Sequence, residues 1–442
     1  MRNLDTEVKY FDKESLGVPL LENSWGCMVD FLDTTLVTGS APTKVLSILS
    51  RESSDGECWI ISLLIQGKFS VKNNLSVIKI QGASDPILNR DFRVQDQTED
   101  TIVLAISKTV SEKKPLDSSG TEDINFIISP LGYSKVFGEE GDQKAVYKLE
   151  LPDSKVCYLR VDNSCPSGQD PTWAKFSKVS MFEDINSLED YGYKSGVGKA
   201  PTYPKDYNRA EESVYSVWFN SSYSNTTTFP LKSPPNIDND FYFIIGDKYT
   251  FYLHRKNLRA NDEINYRRDE TYLFGLYTKL IYKEDPLPFL LRFSEKDSPT
   301  ASNFMTNSLY SGFTRDREIN NSTFNTEPHP LYDTPSSDTY SLWLDDSYRS
   351  GLTTRLPYFP YKNELGLNIS DISLKFSRGG RSVLEGKFRG LRSILSDFTT
   401  YKEGAPSWYE IIDQDGSYYL VVPDRDYNQQ ACYLVLLNNW GV

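Results

Sequence analysis

The residues able to do chemistry are few, and their spacing fits no common reaction. The chain of 442 residues has only two histidines, His254 and His329, which leaves little for nucleophile–base catalysis. His254 ends an aromatic run and His329 lies between two prolines in a polar loop, so both read as structural or solvated groups. No Gly-x-Ser-x-Gly elbow, Walker loop or dinucleotide fingerprint occurs. Gly379-Gly380-Arg381-Ser382 is glycine-rich but lacks the lysine and the strand-to-helix setting of a phosphate loop. A glycosidase needs only two well-placed carboxylates. Asp345-Asp346, Glu139-Glu140 and Glu211-Glu212 are candidates, with Tyr340, Trp343 and Tyr348 able to stack on sugar rings. With 61 acidic residues in the chain, though, adjacent pairs are expected on any solvated surface. Asp413-Gln414-Asp415-Gly416 opens like a calcium loop but has no later glutamate at the needed spacing, so a hairpin turn explains it better. No catalytic residue, cofactor or metal is expected, and the chain reads as non-enzymatic.

Five cysteines (Cys27, Cys58, Cys157, Cys165, Cys432) are scattered without a Cys-x-x-Cys pair, which argues against zinc. Cys157 and Cys165 are close enough in sequence to pair across a hairpin, but reduced, buried thiols are the favoured reading. The one positive chemical feature is a basic ribbon. Arg378, Arg381, Arg389 and Arg392 fall within fifteen residues, and the arginine fork binds carboxylates bidentately at interfaces. Two readings stand side by side: a ribbon that docks on the acidic face of a neighbour, or ordinary ion pairs within the subunit. Under the first, charge reversal at Arg389 blocks assembly without unfolding the chain.

Net charge is −13, and no basic tail is present, so direct nucleic-acid binding is not expected. The N-terminus has no charged-then-apolar leader, and no run approaches the length of a membrane helix, so a cytosolic product without membrane insertion is expected. Aromatics make up 13% of the chain, with 29 tyrosines, which suits either extensive subunit contact or an aromatic-rich β protein.

The elements that must position these groups read as mostly β, in antiparallel barrels or sandwiches, with long surface loops. One amphipathic helix is expected over Ser24–Val37, capped by Ser24 and stopped by Gly39, with Trp25, Met28, Val29, Leu32 and Leu36 on one face. Strands are expected over 44–49, 58–65, 75–80, 92–95 and 101–106, and a charged, proline-containing stretch follows. That places a helix plus small β domain at 1–112 and a larger β domain at 113–442. In the second part strands are expected over 123–128, 145–151, 156–161, 174–182, 214–219, 241–253, 271–282 and 289–294. Gly246-Asp247 marks a hairpin within 241–253. Inserted loops are expected near 192–212 and 294–339.

Several short motifs resemble a family of tailed-bacteriophage virion structural proteins. They are Glu22-Asn23-Ser24-Trp25-Gly26 near the start, the Ile244-Ile245-Gly246-Asp247 hairpin, and Tyr272-Leu273-Phe274-Gly275. Near the end come Arg378-Gly379 through Arg389-Gly390 and a hairpin opened by Trp408. The resemblance covers most of the chain in outline. It implies a non-enzymatic tail sheath, tail-shell or baseplate-type component, assembled in the bacterial host cytoplasm and resident in the virion tail. It implies as partners copies of the chain itself in a symmetric assembly, and other phage tail, connector or fibre proteins. Trp25 and Trp408 join the four arginines as candidate interface residues. A host-attachment (receptor- or glycan-binding) protein or a head-associated decoration protein is the alternative, and a carbohydrate-active enzyme stands third.

Overall fold

Every apolar run expected as a strand overlaps one in the computed structural model, because short β-branched and aromatic stretches punctuated by Gly, Asn, Asp and Ser suit a pleated surface better than a helix. The structure describes residues 4–22, 24–67, 69, 75–119, 123–151, 156–165, 176–182, 184–188, 216–220, 241–257, 268–279, 287–294, 312–314, 317–319, 369–378, 381–394, 411–414, 416–425 and 430–441. The chain is mostly β. Twenty-four strands, numbered in chain order, form three antiparallel sheets among these residues.

The first strand, β1 (Lys9–Asp12), joins the largest sheet. The next strands build a closed barrel. β2 (Thr43–Glu52), β3 (Cys58–Ile65), β4 (Val77–Gln81), β5 (Asp91–Gln97), β6 (Thr101–Ser107) and β8 (Asn125–Ile128) pair in the cyclic order β2-β3-β6-β5-β4-β8. The ring shuts where Thr43 and Lys44 of β2 meet Phe126 and Asn125 of β8. The short β7 (Ser118–Ser119) rides on β2. Closure removes the open edges that a flat sheet presents to other chains. Ile48, Ile61, Leu63, Ile80, Leu104 and Phe126 are fully enclosed, and each such burial contributes roughly 1.5–3 kcal/mol. The barrel therefore does not end at residue 112. Its last stave is β8, beyond the charged stretch, and the end of that stretch pairs with β2 as β7. Hydrogen-bond closure, invisible in a composition shift, sets where this unit ends.

The helix is shorter and differently capped than its periodicity suggests. An α-helix covers Cys27–Leu32 and continues as a wider π-helical turn over Asp33–Thr38. Met28, Val29, Leu32 and Leu36 are buried on one face as expected. Ser24 does not cap it. The buried amide oxygen of Asn163, far along the chain, accepts from the backbone N–H of Gly26 at 2.8 Å and of Met28 at 3.2 Å. Gly39 does stop it, at a positive φ of 79°. A Cβ there would stand 2.5 Å from the Ile128 carbonyl oxygen, so the stop also fixes the helix against β8.

A second sheet runs β9 (Ser134–Phe137), β10 (Lys144–Glu150), β11 (Val156–Asp162), β12 (Phe176–Phe182) and β13 (Ser216–Phe219) in simple meander order. The third has the order β1-β14-β15-β16-β21-β24-β23-β22, with β14 (Phe241–Gly246), β15 (Thr250–Asn257), β16 (Arg268–Lys279), β21 (Arg381–Ile394), β24 (Gln430–Leu436), β23 (Ser417–Arg425) and β22 (Ile411–Gln414). β20 (Ile369–Arg378) pairs with β21, and β17 (Leu287–Ser294) extends from β16 to the short β18 (Gly312–Thr314) and β19 (Arg317–Ile319). The stretch 294–339, expected to be an inserted loop, thus contributes two strands to this sheet. The expected loop at 192–212 lies outside the described residues. One continuous core links the parts, since Phe31 of the helix, Leu63 of the barrel, Leu159 and Trp218 of the second sheet and Phe251 of the third belong to it.

At the end of β1, Asp12 is buried and accepts from the Glu14 backbone N–H at 2.9 Å, the Ser15 hydroxyl at 3.1 Å and the Tyr10 hydroxyl at 3.2 Å. Burial outweighs these donors and pushes its carboxyl above the ordinary 3.8. A carboxyl raised on folding holds its proton longer in the folded chain. Its contribution is therefore present at low pH and lost as pH rises through the folded value. Asp12→Asn keeps an acceptor but cannot ionise. The variant is expected to gain stability relative to the native chain as pH climbs from 3.8 towards neutrality. Denaturant titrations at acid and neutral pH check this, and an unchanged difference between the two chains would refute it.

Candidate functional site

The arginine ribbon does not present four equivalent side chains to the outside. Arg378 and Arg381 face each other across the β20–β21 hairpin, where the backbone alone is described. Arg392 is half-buried and donates to the Leu391 carbonyl at 2.8 Å. Arg389 points inward, with 2% of its side chain exposed. Of the two readings of the ribbon, the geometry at Arg389 is that of ion pairing within the subunit. Its guanidinium is enclosed and fully engaged within the subunit, so no partner's carboxylate reaches it, and charge reversal there strikes the fold. Trp25 is half-buried beside the helix start, and Trp408 lies outside the described residues.

What surrounds Arg389 is a clasp assembled from four distant stretches. The turn between β14 and β15 supplies Asp247. Its Oδ1 accepts from the backbone N–H of Tyr249 at 2.8 Å and of Thr250 at 2.9 Å, an Asx-type turn that holds the carboxylate still. Arg389 Nη2 then donates to Asp247 Oδ2 at 2.7 Å and Nη1 to Asp247 Oδ1 at 3.1 Å, a two-pronged pairing. Nη1 also reaches the Thr250 hydroxyl at 3.1 Å, and the guanidinium carbon lies 5.2 Å from the centre of the Tyr249 ring. On its other side the fork holds the Gly441 carbonyl, through Nε at 2.8 Å and again through Nη2. The Tyr252 hydroxyl donates to the Arg389 carbonyl.

Two glycines make this approach possible. Gly390, with φ of 69°, lies flat under the Trp440 indole, and a Cβ there would run into the ring. Gly275, with φ of 145°, lets β16 touch the turn: Leu276 N–H donates to Tyr249 O at 3.1 Å and the Thr250 hydroxyl donates to Leu276 O at 3.1 Å. Trp440 also packs against Tyr252, with ring centres 5.3 Å apart. Nearby, Tyr133 is buried with no hydrogen-bond partner for its hydroxyl. Burial, with the Asp247 charge close by, pushes this phenol well above its ordinary 10.0 and keeps it neutral.

Two other buried arginines act in the same way. Arg93 of β5 donates to the carbonyls of Asp5 at 2.9 Å, Val8 at 2.5 Å and Leu437 at 3.4 Å, and to that of Leu75. It thereby ties both ends of the chain to the barrel. Burial lowers it to about 10, so it stays charged at neutral pH. Arg160 of β11 pairs with Asp162 at 3.3 Å and donates to Leu188 O at 2.7 Å.

The other candidates are placed simply. His254 is buried, its Nδ1 3.1 Å from the Thr271 hydroxyl and its ring 5.1 Å from that of Phe243. Glu139 and Glu140 are exposed in a turn where Asp142 accepts from the Glu139 N–H at 2.6 Å. His329, Asp345-Asp346 and Glu211-Glu212 lie outside the described residues. No disulfide joins Cys157 to Cys165. At the calcium-like run, Gln414 pairs with Ser417 across the β22–β23 hairpin and Gly416 N–H donates to Asp413 Oδ1 at 3.1 Å. Among the described residues no three His, Cys, Asp or Glu side chains converge to hold a metal, and no helix is long and apolar enough to cross a membrane.

Sequence reasoning named Arg389, Gly246-Asp247 and Phe274-Gly275 separately but not their convergence. It missed Trp440, Gly441, Arg93 and Asn163, whose roles depend on partners far away in sequence. No model of a known protein family matches the chain, and no curated protein matches it.

Proposed function

We propose that this chain is a non-enzymatic structural subunit of a tailed-bacteriophage virion. In this reading it is a tail sheath or tail-shell protein that joins copies of itself in a ring or sleeve around the tail and docks on other tail, connector or fibre proteins. The observation that carries the reading is the clasp. Three of the motifs behind the phage resemblance, Gly246-Asp247, Phe274-Gly275 and Arg389-Gly390, meet there and hold strands together. Residues that mark a family by serving its fold fit a protein whose work is to be a rigid building block. A closed barrel and a broad sheet sharing one core suit the same role. Head-to-tail contacts between such blocks close into rings where the rotation permits.

Cryo-electron microscopy of purified virions tests this. The expected result is the chain traced as a ring or sleeve around the tail axis. Density at a fibre tip would favour host attachment instead, and absence from the particle would remove the structural reading.

A further inference from the structure

The clasp is built like a binding site with its ligand already in place. Its walls belong to the body of the protein: the Arg389–Asp247 pair, the bare Gly390 backbone, and the Tyr252 ring fixed through its hydroxyl. A short segment following β24 fills it with one indole and one carbonyl, from Trp440 and Gly441. The segment carries much of its own shape, since Trp440 Nε1 donates to Leu436 O at 2.6 Å and Gly441 N–H to Asn439 Oδ1 at 2.7 Å. Asn439 and Gly441 are exposed, and Asn439 is tied to the body by its N–H, which donates to Asp5 Oδ2 at 2.9 Å.

We propose that Arg389, Asp247, Gly390 and Tyr252 form a receptor for a Trp-Gly segment, and that the segment of a second copy of this chain occupies it in exchange for the chain's own. The identity of the donor rests on the self-assembly reading above, whereas the receptor stands without it. Exchange replaces each contact with an identical one, so it is a low-cost route to linking subunits. The arginine fork recognises the carbonyl, Gly390 leaves room for the indole, and Tyr252 packs on it.

The test uses the full-length Trp440→Ala chain and a labelled synthetic peptide spanning residues 436–442, followed by fluorescence anisotropy. Saturable binding to the variant is expected, at least about tenfold tighter than to the native chain, whose own segment competes. The same peptide with alanine in place of tryptophan should bind at least about tenfold more weakly. No binding to a folded variant overturns the receptor. If the variant does not fold, hydrogen exchange on the native chain decides: residues 439–441 should open at least about tenfold faster than β24. Opening only together with β24 overturns the proposal. Peptide binding by a chain that sediments as a monomer keeps the receptor and removes self-assembly, so the two failures are distinguishable.

Discussion

Replacing Arg389 by methionine is expected to destabilise the chain by about 3–5 kcal/mol, the cost of leaving one partner of a buried ion pair alone. The Asp247 carboxylate, with 5% of its side chain exposed, would keep only the donors of its own turn, the Tyr249 and Thr250 N–H groups. The Gly441 carbonyl would lose both its donors from Arg389 as well. Methionine fills much of the same volume, so the loss reports on charge and hydrogen bonding more than on a cavity. Arg389→Lys should recover part of the stability, because an ammonium neutralises Asp247 but cannot grip Gly441 and Asp247 at once. Arg389→Glu should do worse than methionine by placing a second carboxylate against Asp247. Denaturant unfolding of the three variants checks the order. A methionine variant within error of the native chain would refute it.

Gly275→Ala should be comparably damaging without touching a charge. The added Cβ would run into the Thr250 Cα and the Tyr249 carbonyl oxygen, and it would stand 2.7 Å from the Thr250 Cβ. Backbone atoms held in a sheet register do not yield as a flexible side-chain tip does. Overpacking of about 1–3 kcal/mol adds to about 1–3 kcal/mol for a left-handed conformation in a residue with a Cβ. Gly141→Ala is the control. Its φ of 81° is also disfavoured for alanine, but a Cβ there meets nothing within 4 Å, so only the strain of about 1–3 kcal/mol applies. Comparing the two by denaturant unfolding separates crowding from backbone strain. Equal losses would contradict the close approach of β16 to the Asp247 turn.

The strands were legible because their signal is local. Cys58–Ile65 reads as a strand from its own eight residues, and the β14–β15 hairpin from Gly246-Asp247 between two aromatic runs. The helix face was legible for the same reason, while its cap was not, because Asn163 arrives from just past β11 in the second sheet. The barrel's last stave was not legible, since a charged stretch resembles a linker whether or not a stave follows it, and Asn125–Ile128 shows its role only by pairing with β2 and β4. The clasp was half legible. Arginine, aspartate and glycine stood out by type, yet an arginine awaiting a neighbour and one buried against its own chain have the same local sequence. Partners 142 residues apart, as Asp247 and Arg389 are, leave no periodicity to find.

The central claim is that the motif residues marking this chain hold its own fold together. A double-mutant cycle on Arg389→Met and Asp247→Asn tests it most directly, with unfolding free energies for the native chain, both single variants and the double. Asparagine preserves the acceptor for the turn and removes the charge. The account predicts a coupling of about 1.5–5 kcal/mol, in the range measured for close, desolvated charge pairs, with the double variant far less destabilised than the sum of the singles. Coupling below about 0.5 kcal/mol, the additivity seen between independent sites, would contradict it and return Arg389 to the surface as a residue for a neighbour.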